Sequence, residues 1–200
     1  AIDTGVSGAA VTSFVATDNY AVAKVQGAVA ATLVSDGDTI IYVTGNQAQS
    51  TGQERRNGFM EAFGAARPNS KVLEVPTEWN SQQAQEGVEA VLNANADVKM
   101  VANAWDGGTM GAKAALENLG YGAGDVKLVG FDGAGDAIAA MEGGWVHADT
   151  AQMLYQMGYQ GIKAAAAAAR GEEVRTRIDT GFFLVTPETS GVYKKMVGIN

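Results

Sequence analysis

VKLVGFDGAGDAIAAM, residues 126–141, is the stretch that decides the fold. VKLVGFD has the length and the apolar, β-branched and aromatic content of a buried strand, and a helix follows from about Gly135. Between them lies a glycine-rich turn carrying two acids, Asp132 and Asp136. One strand, a polar turn and one helix make a single β–α step. The same step recurs on either side of it.

Upstream, Val22, Val25, Val29 and Leu33 are spaced to share a helical face. SDGD (35–38) reads as a turn before the strand TIIYVTG (39–45). Arg55 to Ala66 is expected to be helical, with Phe59, Phe63 and Ala66 on one side. Pro68 and Asn69 end that helix before the strand KVLEV (71–75). Ala84, Val88, Val91 and Leu92 mark the next helix, KMVANA (99–104) the next strand, and Met110 to Leu119 a helix closed by Gly120. Downstream, WVHADTA (145–151) is a strand, Met153 to Arg170 a long helix, and VRTRIDTGFFLVT (174–186) the last strand. The alanine run 164–169 is a strong helix former suited to close packing. No internal repeat is visible.

Strands alternating with helices predict an α/β protein: three α/β/α layers around a mainly parallel, doubly wound sheet. Such sheets bind ligands beyond the carboxyl ends of their strands, near a reversal of strand order. That rule nominates Asn46 to Arg55, Thr77 to Asn80, Ala104 to Asp106, Asp132 to Asp136, and Gln152. These segments are rich in Asn, Gln, Asp, Arg and Trp. Planar polar groups that give and take hydrogen bonds, beside flat aromatics, suit a carbohydrate.

Composition removes other classes. The formal net charge of −8 disfavours nucleic acid and anionic membrane as partners. With no cysteine there is no disulfide or thiolate chemistry, and a single histidine, His147, makes a transition-metal centre unexpected. No metal or organic cofactor is expected, and no Ser–His pair sits in a hydrolase motif. His147 is expected to be structural. No run spans a bilayer and no signal peptide is visible. The chain opens on AIDTGVSG without an initiator Met, which reads as a processed or cut product.

Seven segments, in order and spanning the chain, resemble the type I periplasmic sugar-binding proteins of bacterial ABC importers, the ribose- and galactose-binding proteins. They are IDTGVSG (2–8), SFVATDN (13–19), ERRNGF (54–59), WDGGTMGAKAAL (105–116), LVGFDG (128–133), ADTAQMLYQMG (148–158) and FFLVTPET (182–189). The resemblance implies two lobes that close on a monosaccharide or polyol about three crossing segments. It further implies a periplasmic location, a membrane permease as partner, and no catalysis. By the same resemblance, residues 1–15 hold the last strand of an N-terminal lobe and the first crossing. Residues 16–150 form the C-terminal lobe, 151–178 an N-lobe helix and strand, and 179–200 the third crossing and tail. The earlier part of the N-terminal lobe has no counterpart here. A truncated chain is therefore expected, with uncovered apolar surface on the Met153 helix that favours self-association or a domain swap.

Carried over residue by residue, the resemblance makes Asp132 an acceptor for adjacent sugar hydroxyls and Arg55 a forked donor. Trp79 becomes a stacking platform, Gln152 a donor and acceptor at a crossing, and Asp3 the N-lobe aspartate. Thr4 follows Asp3 where the family commonly has Arg. Trp105 stands where the family has Asn, which puts ribose or glucose in question, and Asp149 stands where it has Thr.

Two other readings compete. GAGD (133–136) resembles the anion hole of ribokinase-type sugar kinases, in which glycine amides hold phosphate and Asp136 would be the base. The preceding Gly130-Phe131-Asp132 does not fit that motif, and there is no Walker A loop. The effector domain of a LacI-type repressor would share the fold, but SDGDTII replaces the G-H-R-x-I expected before the second-lobe strand.

Overall fold

A computed structural model describes residues 1–199 apart from Ser7 and Ala96. Its main sheet has six strands in the order β3-β2-β4-β5-β6-β8. These are β2 (Thr39–Val43), β3 (Lys71–Val75), β4 (Val98–Asn103), β5 (Lys127–Asp132), β6 (Val146–Gln152) and β8 (Phe182–Val185). All neighbours pair in parallel except β8, which runs antiparallel to β6. The chain steps outward from β2 to β3, then crosses back to β4. Strand order thus reverses between β2 and β4, which opens a crevice at their carboxyl ends.

α1 (Asn19–Thr32) packs on α2 (Ser50–Ala66), and α3 (Ser81–Ala94) packs on α4 (Asp106–Asn118), with α5 (Gly135–Glu142) beside α4. Right-handed crossovers place α2 on one face of the sheet and α3 and α4 on the other. β2, between β3 and β4, is covered on both faces: Ile40, Ile41, Tyr42 and Val43 are fully buried. Tyr42 stacks on Phe59 at 4.3 Å, and Phe59 on Phe63 at 5.4 Å. Each of these phenylalanines contributes about 1.5–3 kcal/mol by burial.

A second, two-stranded sheet joins β1 (Phe14–Ala16) to β7 (Arg177–Asp179) in parallel, and Ile2 bridges Val15. α6 (Leu154–Ala169) covers it through a small core of Val15, Met157 and Ala164. The N-terminal segment is thereby tied to the C-terminal third of the chain.

Several expectations shift. The α1 stripe is rotated: its buried residues are Asn19, Val22, Ala23, Gln26, Gly27, Ala30 and Ala31, while Val25, Val29 and Leu33 are only half-buried. The cause is the tight crossing on α2. A Cβ at Gly27 would meet Phe59 O at 2.7 Å, and one at Gly58 would run into Tyr20 O, so small residues form the contact. Gln26 is buried because its amide donates to Asn103 O (2.8 Å) and Gly130 O (2.9 Å). α2 starts at Ser50 and α4 at Asp106, each earlier than its apolar stripe indicated, because polar first turns carry no such stripe. Ala66, at the exposed end of α2, is not part of the core. Residues 174–186 form two strands in two sheets, broken at Gly181 (φ 75°), and a further helix, α7 (Ser190–Val197), follows.

Candidate binding cleft

A cleft of about 290 Å³ opens at the carboxyl ends of the strands, lined by Asp3, Thr4, Gln49, Thr51, Arg55, Trp79, Trp105, Asp132 and Gln152. All six residues singled out in the sequence lie together in it. Thr4, Gln49 and Thr51 join them. Gln49 and Thr51 fall in the nominated segment after β2, but nothing in their identity set them apart from their neighbours.

Arg55 is 2% exposed and organises the floor. Its Nε donates to Asn19 Oδ1 at 2.8 Å, and its Nη1 to Ala104 O at 2.7 Å and Asp132 Oδ1 at 2.9 Å. Its guanidinium lies 3.9 Å from the centroid of Phe131 and 5.7 Å from that of Trp79. Thus one side chain from α2 ties together α1, β5 and the loop after β4. Gln152, at the end of β6, donates to the same Asp132 oxygen at 2.7 Å. Both donors to Asp132 go to Oδ1, and among the described residues none reaches Oδ2. Burial pushes the Asp132 carboxyl above the usual carboxylate range, and Arg55 and Gln152 pull it back.

Trp79 and Trp105 form the aromatic wall. Their rings meet edge to face at 5.3 Å, and Trp79 Nε1 donates to Gln49 Oε1 at 2.7 Å. Trp105, 9% exposed, precedes α4 and lies against Gly107 and Gly108. On the opposite rim, Thr4 Oγ1 donates to Asp3 Oδ2 at 3.1 Å and lies 3.1 Å from Thr51 Oγ1.

Backbone conformation sets the cleft apart. Among the described residues only three non-glycines have positive φ: Asp3 (67°), Trp79 (58°) and Asp132 (121°). All three line the cleft. L-residues held there cost of order 1–3 kcal/mol each, and such strain clusters at ligand sites.

Arg55 is the one cation among the lining residues, and Asp132 already neutralises it. With Asp3 also acidic, the cleft suits a neutral polyhydroxyl compound better than an anion. The GAGD turn does not form an anion hole. Its Ala134 amide already donates to Asp106 Oδ2 at 2.6 Å, and the exposed Asp136 bonds only to the Ala137 amide, at 2.9 Å. His147 stands apart from the cleft; its Nδ1 lies 3.1 Å from Trp145 O, and burial lowers its pKa. No group of acids and histidines among the described residues could hold a metal ion. No described helix is long and apolar enough to cross a membrane.

A mainly parallel, doubly wound sheet with a polar and aromatic cleft at its switch point has the layout of an α/β ligand-binding domain. The chain belongs to the periplasmic binding protein family: the periplasmic binding protein domain matches residues 1–173. It is 32% identical over 169 residues to the D-allose-binding periplasmic protein of Escherichia coli, covering 84% of this chain and 54% of that one. To the ribose import binding protein of Salmonella typhimurium it is 30% identical, over 88% of this chain and 58% of the relative. The solved structure of an ABC transporter solute-binding protein from Mycobacterium smegmatis with bound glycerol superposes with a TM-score of 0.86. It is 31% identical, with 96% of this chain and 66% of that one covered. The chain therefore spans a little over half the length of the curated relatives it matches. Members named in this way are binding proteins rather than enzymes.

Proposed function

We propose that this chain supplies one side of a monosaccharide- or polyol-binding site, and that the whole protein is the solute-binding component of an ABC importer. The observation that carries this is Asp132, held by Arg55 and Gln152 with one oxygen open, under a pair of perpendicular tryptophans. A carboxylate oxygen accepts a sugar hydroxyl, the aromatic wall covers a C–H face, and the amides and hydroxyls of Gln49, Thr51 and Thr4 serve the remaining hydroxyls. The names of the relatives, ribose and allose binding among them, support the same chemistry. The reading includes a periplasmic location, docking of the closed form on a membrane permease, and no catalysis. Residues 1–15 and 151–178 would belong to the first lobe, 16–150 to the second, and 179–200 to the last crossing and tail. Closure of the two lobes would follow from a ligand that touches both only in the closed form.

The test is calorimetric titration of this chain with D-ribose, D-allose, glycerol and myo-inositol. Saturable binding weaker than that of the full-length protein, and lost in Asp132→Ala, is expected. Binding at full-length strength, or binding indifferent to Asp132, refutes the assignment. For the chain alone, the exposed apolar face of α6 (Leu154, Tyr155, Tyr159 and Ile162) would drive self-association between copies.

A further inference from the structure

Behind the cleft, on the α4 side of the sheet, two acids meet. Asp149 on β6 is fully buried and Asp106, at the first turn of α4, is 2% exposed. Gly130 on β5 lies between them. A Cβ placed there would run into Asp149 Oδ2, Asp106 Oδ1 and Thr109 Oγ1, so the two carboxyl groups converge on one point. Asp106 has donors: the Ala134 amide at 2.6 Å and the Thr109 hydroxyl at 3.4 Å. For Asp149 no donor from the described residues meets hydrogen-bond geometry at either oxygen. The Gly133 amide comes near enough to lower its pKa, but less than burial raises it. An ionised carboxylate buried without donors costs several kcal/mol. A proton shared by the two carboxyls removes that cost, because it turns two acceptors into a donor and an acceptor.

We propose that Asp106 and Asp149 share a proton, and that the protonated pair positions the Asp132–Ala134 turn for the ligand. This rests on the reading of Asp132 as the sugar acceptor. The turn has three anchors: Arg55 and Gln152 on Asp132, the Tyr193 hydroxyl on Gly133 O (2.9 Å), and Asp106 on the Ala134 amide. Two of the three are exposed to the charge of the pair. Asp106 provides one directly, and Gln152 sits on the strand that carries Asp149. With the proton gone, two negative charges face each other beside a third on Asp132, and the start of α4 and β6 are driven apart.

The charged and titratable groups that face the pair are Asp132 from β5, Arg55 from α2 and Tyr193 from α7. β8 sets Val185 opposite Asp149, and α1 contributes Gln26, whose amide is spent on backbone carbonyls. Burial holds both acids above the usual carboxylate range. Asp149 is pushed up to about 6, and Asp106 is raised further by the charge of Asp149. A pKa raised in the folded state gives stability that is complete below the unfolded value and lost as pH rises through the folded one. Stability therefore falls as pH rises through about 6 and onward.

The experiment compares the chain with Asp149→Asn, which replaces the shared proton by amide donors, and with Asp136→Asn as a charge control. The infrared spectrum at neutral pH is expected to show a protonated-carboxyl C=O band in the parent and the control but not in Asp149→Asn. The thermal midpoint of the parent should fall from about pH 5 to about pH 9, and that of Asp149→Asn should fall less. D-ribose and D-allose affinities, read from tryptophan fluorescence, should drop about tenfold over that range in the parent, as one linked proton allows. In Asp149→Asn they should hold or rise, since Asp106 alone of the pair can then carry a charge, and the new amide donates to it. An absent carboxyl band, or an unchanged slope of the midpoint in Asp149→Asn, overturns the shared proton. A parent-like pH profile of affinity in Asp149→Asn overturns the positioning role. If neither sugar binds at any pH, the assignment of the site fails, while the band still decides the pair. Should Asp149→Asn not fold, Asp106→Asn serves, because its amide can accept from Ala134 and donate to Asp149.

Discussion

Replacing Arg55 separates what the cleft does for the fold from what it does for a ligand. Arg55→Ala strips Asp132 of its counter-ion and leaves Asn19 Oδ1 and Ala104 O without their donor. Breaking a buried ion pair from one side costs about 3–5 kcal/mol. The Asp132 side chain is 28% exposed, so water recovers part of that, and the lower figure, about 3 kcal/mol, applies. Against a domain stability of about 5–15 kcal/mol this is a large loss. Urea denaturation followed by tryptophan fluorescence measures it. Replacing both partners, as in Arg55→Met with Asp132→Asn, should recover most of the stability, because no unpaired charge remains. The double variant should still bind sugar at least tenfold more weakly than the parent, about 1.4 kcal/mol. Two results would refute this reasoning: Arg55→Ala losing under about 1 kcal/mol, the worth of an exposed pair, or the double variant keeping parental affinity.

Three further outcomes are expected. Trp79→Ala should weaken sugar binding about three- to tenfold, the worth of one aromatic contact, in calorimetric titration. Gly58→Ala gains up to about 1 kcal/mol of helix propensity. It forces a methyl into the Tyr20 carbonyl, however, and overpacking costs about 1–3 kcal/mol, so the denaturation midpoint should fall. Tyr155→Ser with Ile162→Ser should shift sedimentation of the chain toward monomer and remove the concentration dependence of its thermal midpoint, since both side chains are exposed and serve only the contact between copies.

The β–α rhythm was legible because each buried strand, from TIIYV to KLVGF, is a short apolar run closed by polar residues. Five of the six cleft residues were legible for a related reason. A parallel sheet sends the segments that follow its strands to the same edge, which brings those five together. Asp3, and the choice of Arg55 within its segment, came from the family resemblance alone. The face of α1 was not legible. Gln26 and Gly27 lie on its buried side, one because its amide finds two carbonyls and the other because α2 comes too close for a side chain. Valine spacing carries neither fact. The meeting of Asp106 and Asp149 was equally hidden. Each stood out alone, one as a residue after a strand and one as an acid in place of threonine, but their register across Gly130 exists only in the assembled sheet. The division of residues 174–186 between two sheets depends on pairing with β1 and β6, partners distant in sequence.

Asp3, Trp79 and Asp132 hold backbone angles that glycine adopts freely. A laboratory evolution campaign that rewards survival of heating, and nothing else, would therefore find easy gains at the codons of Asp3 and Trp79, whereas Asp132 is held in place by its pairing with the buried Arg55. Glycine at those two codons relieves strain and leaves the folded backbone undisturbed. The winners would be hardier proteins whose cleft had lost a carboxylate and an indole. Any stabilisation of this lobe for use as a sensor should fix those positions first and let the library vary elsewhere.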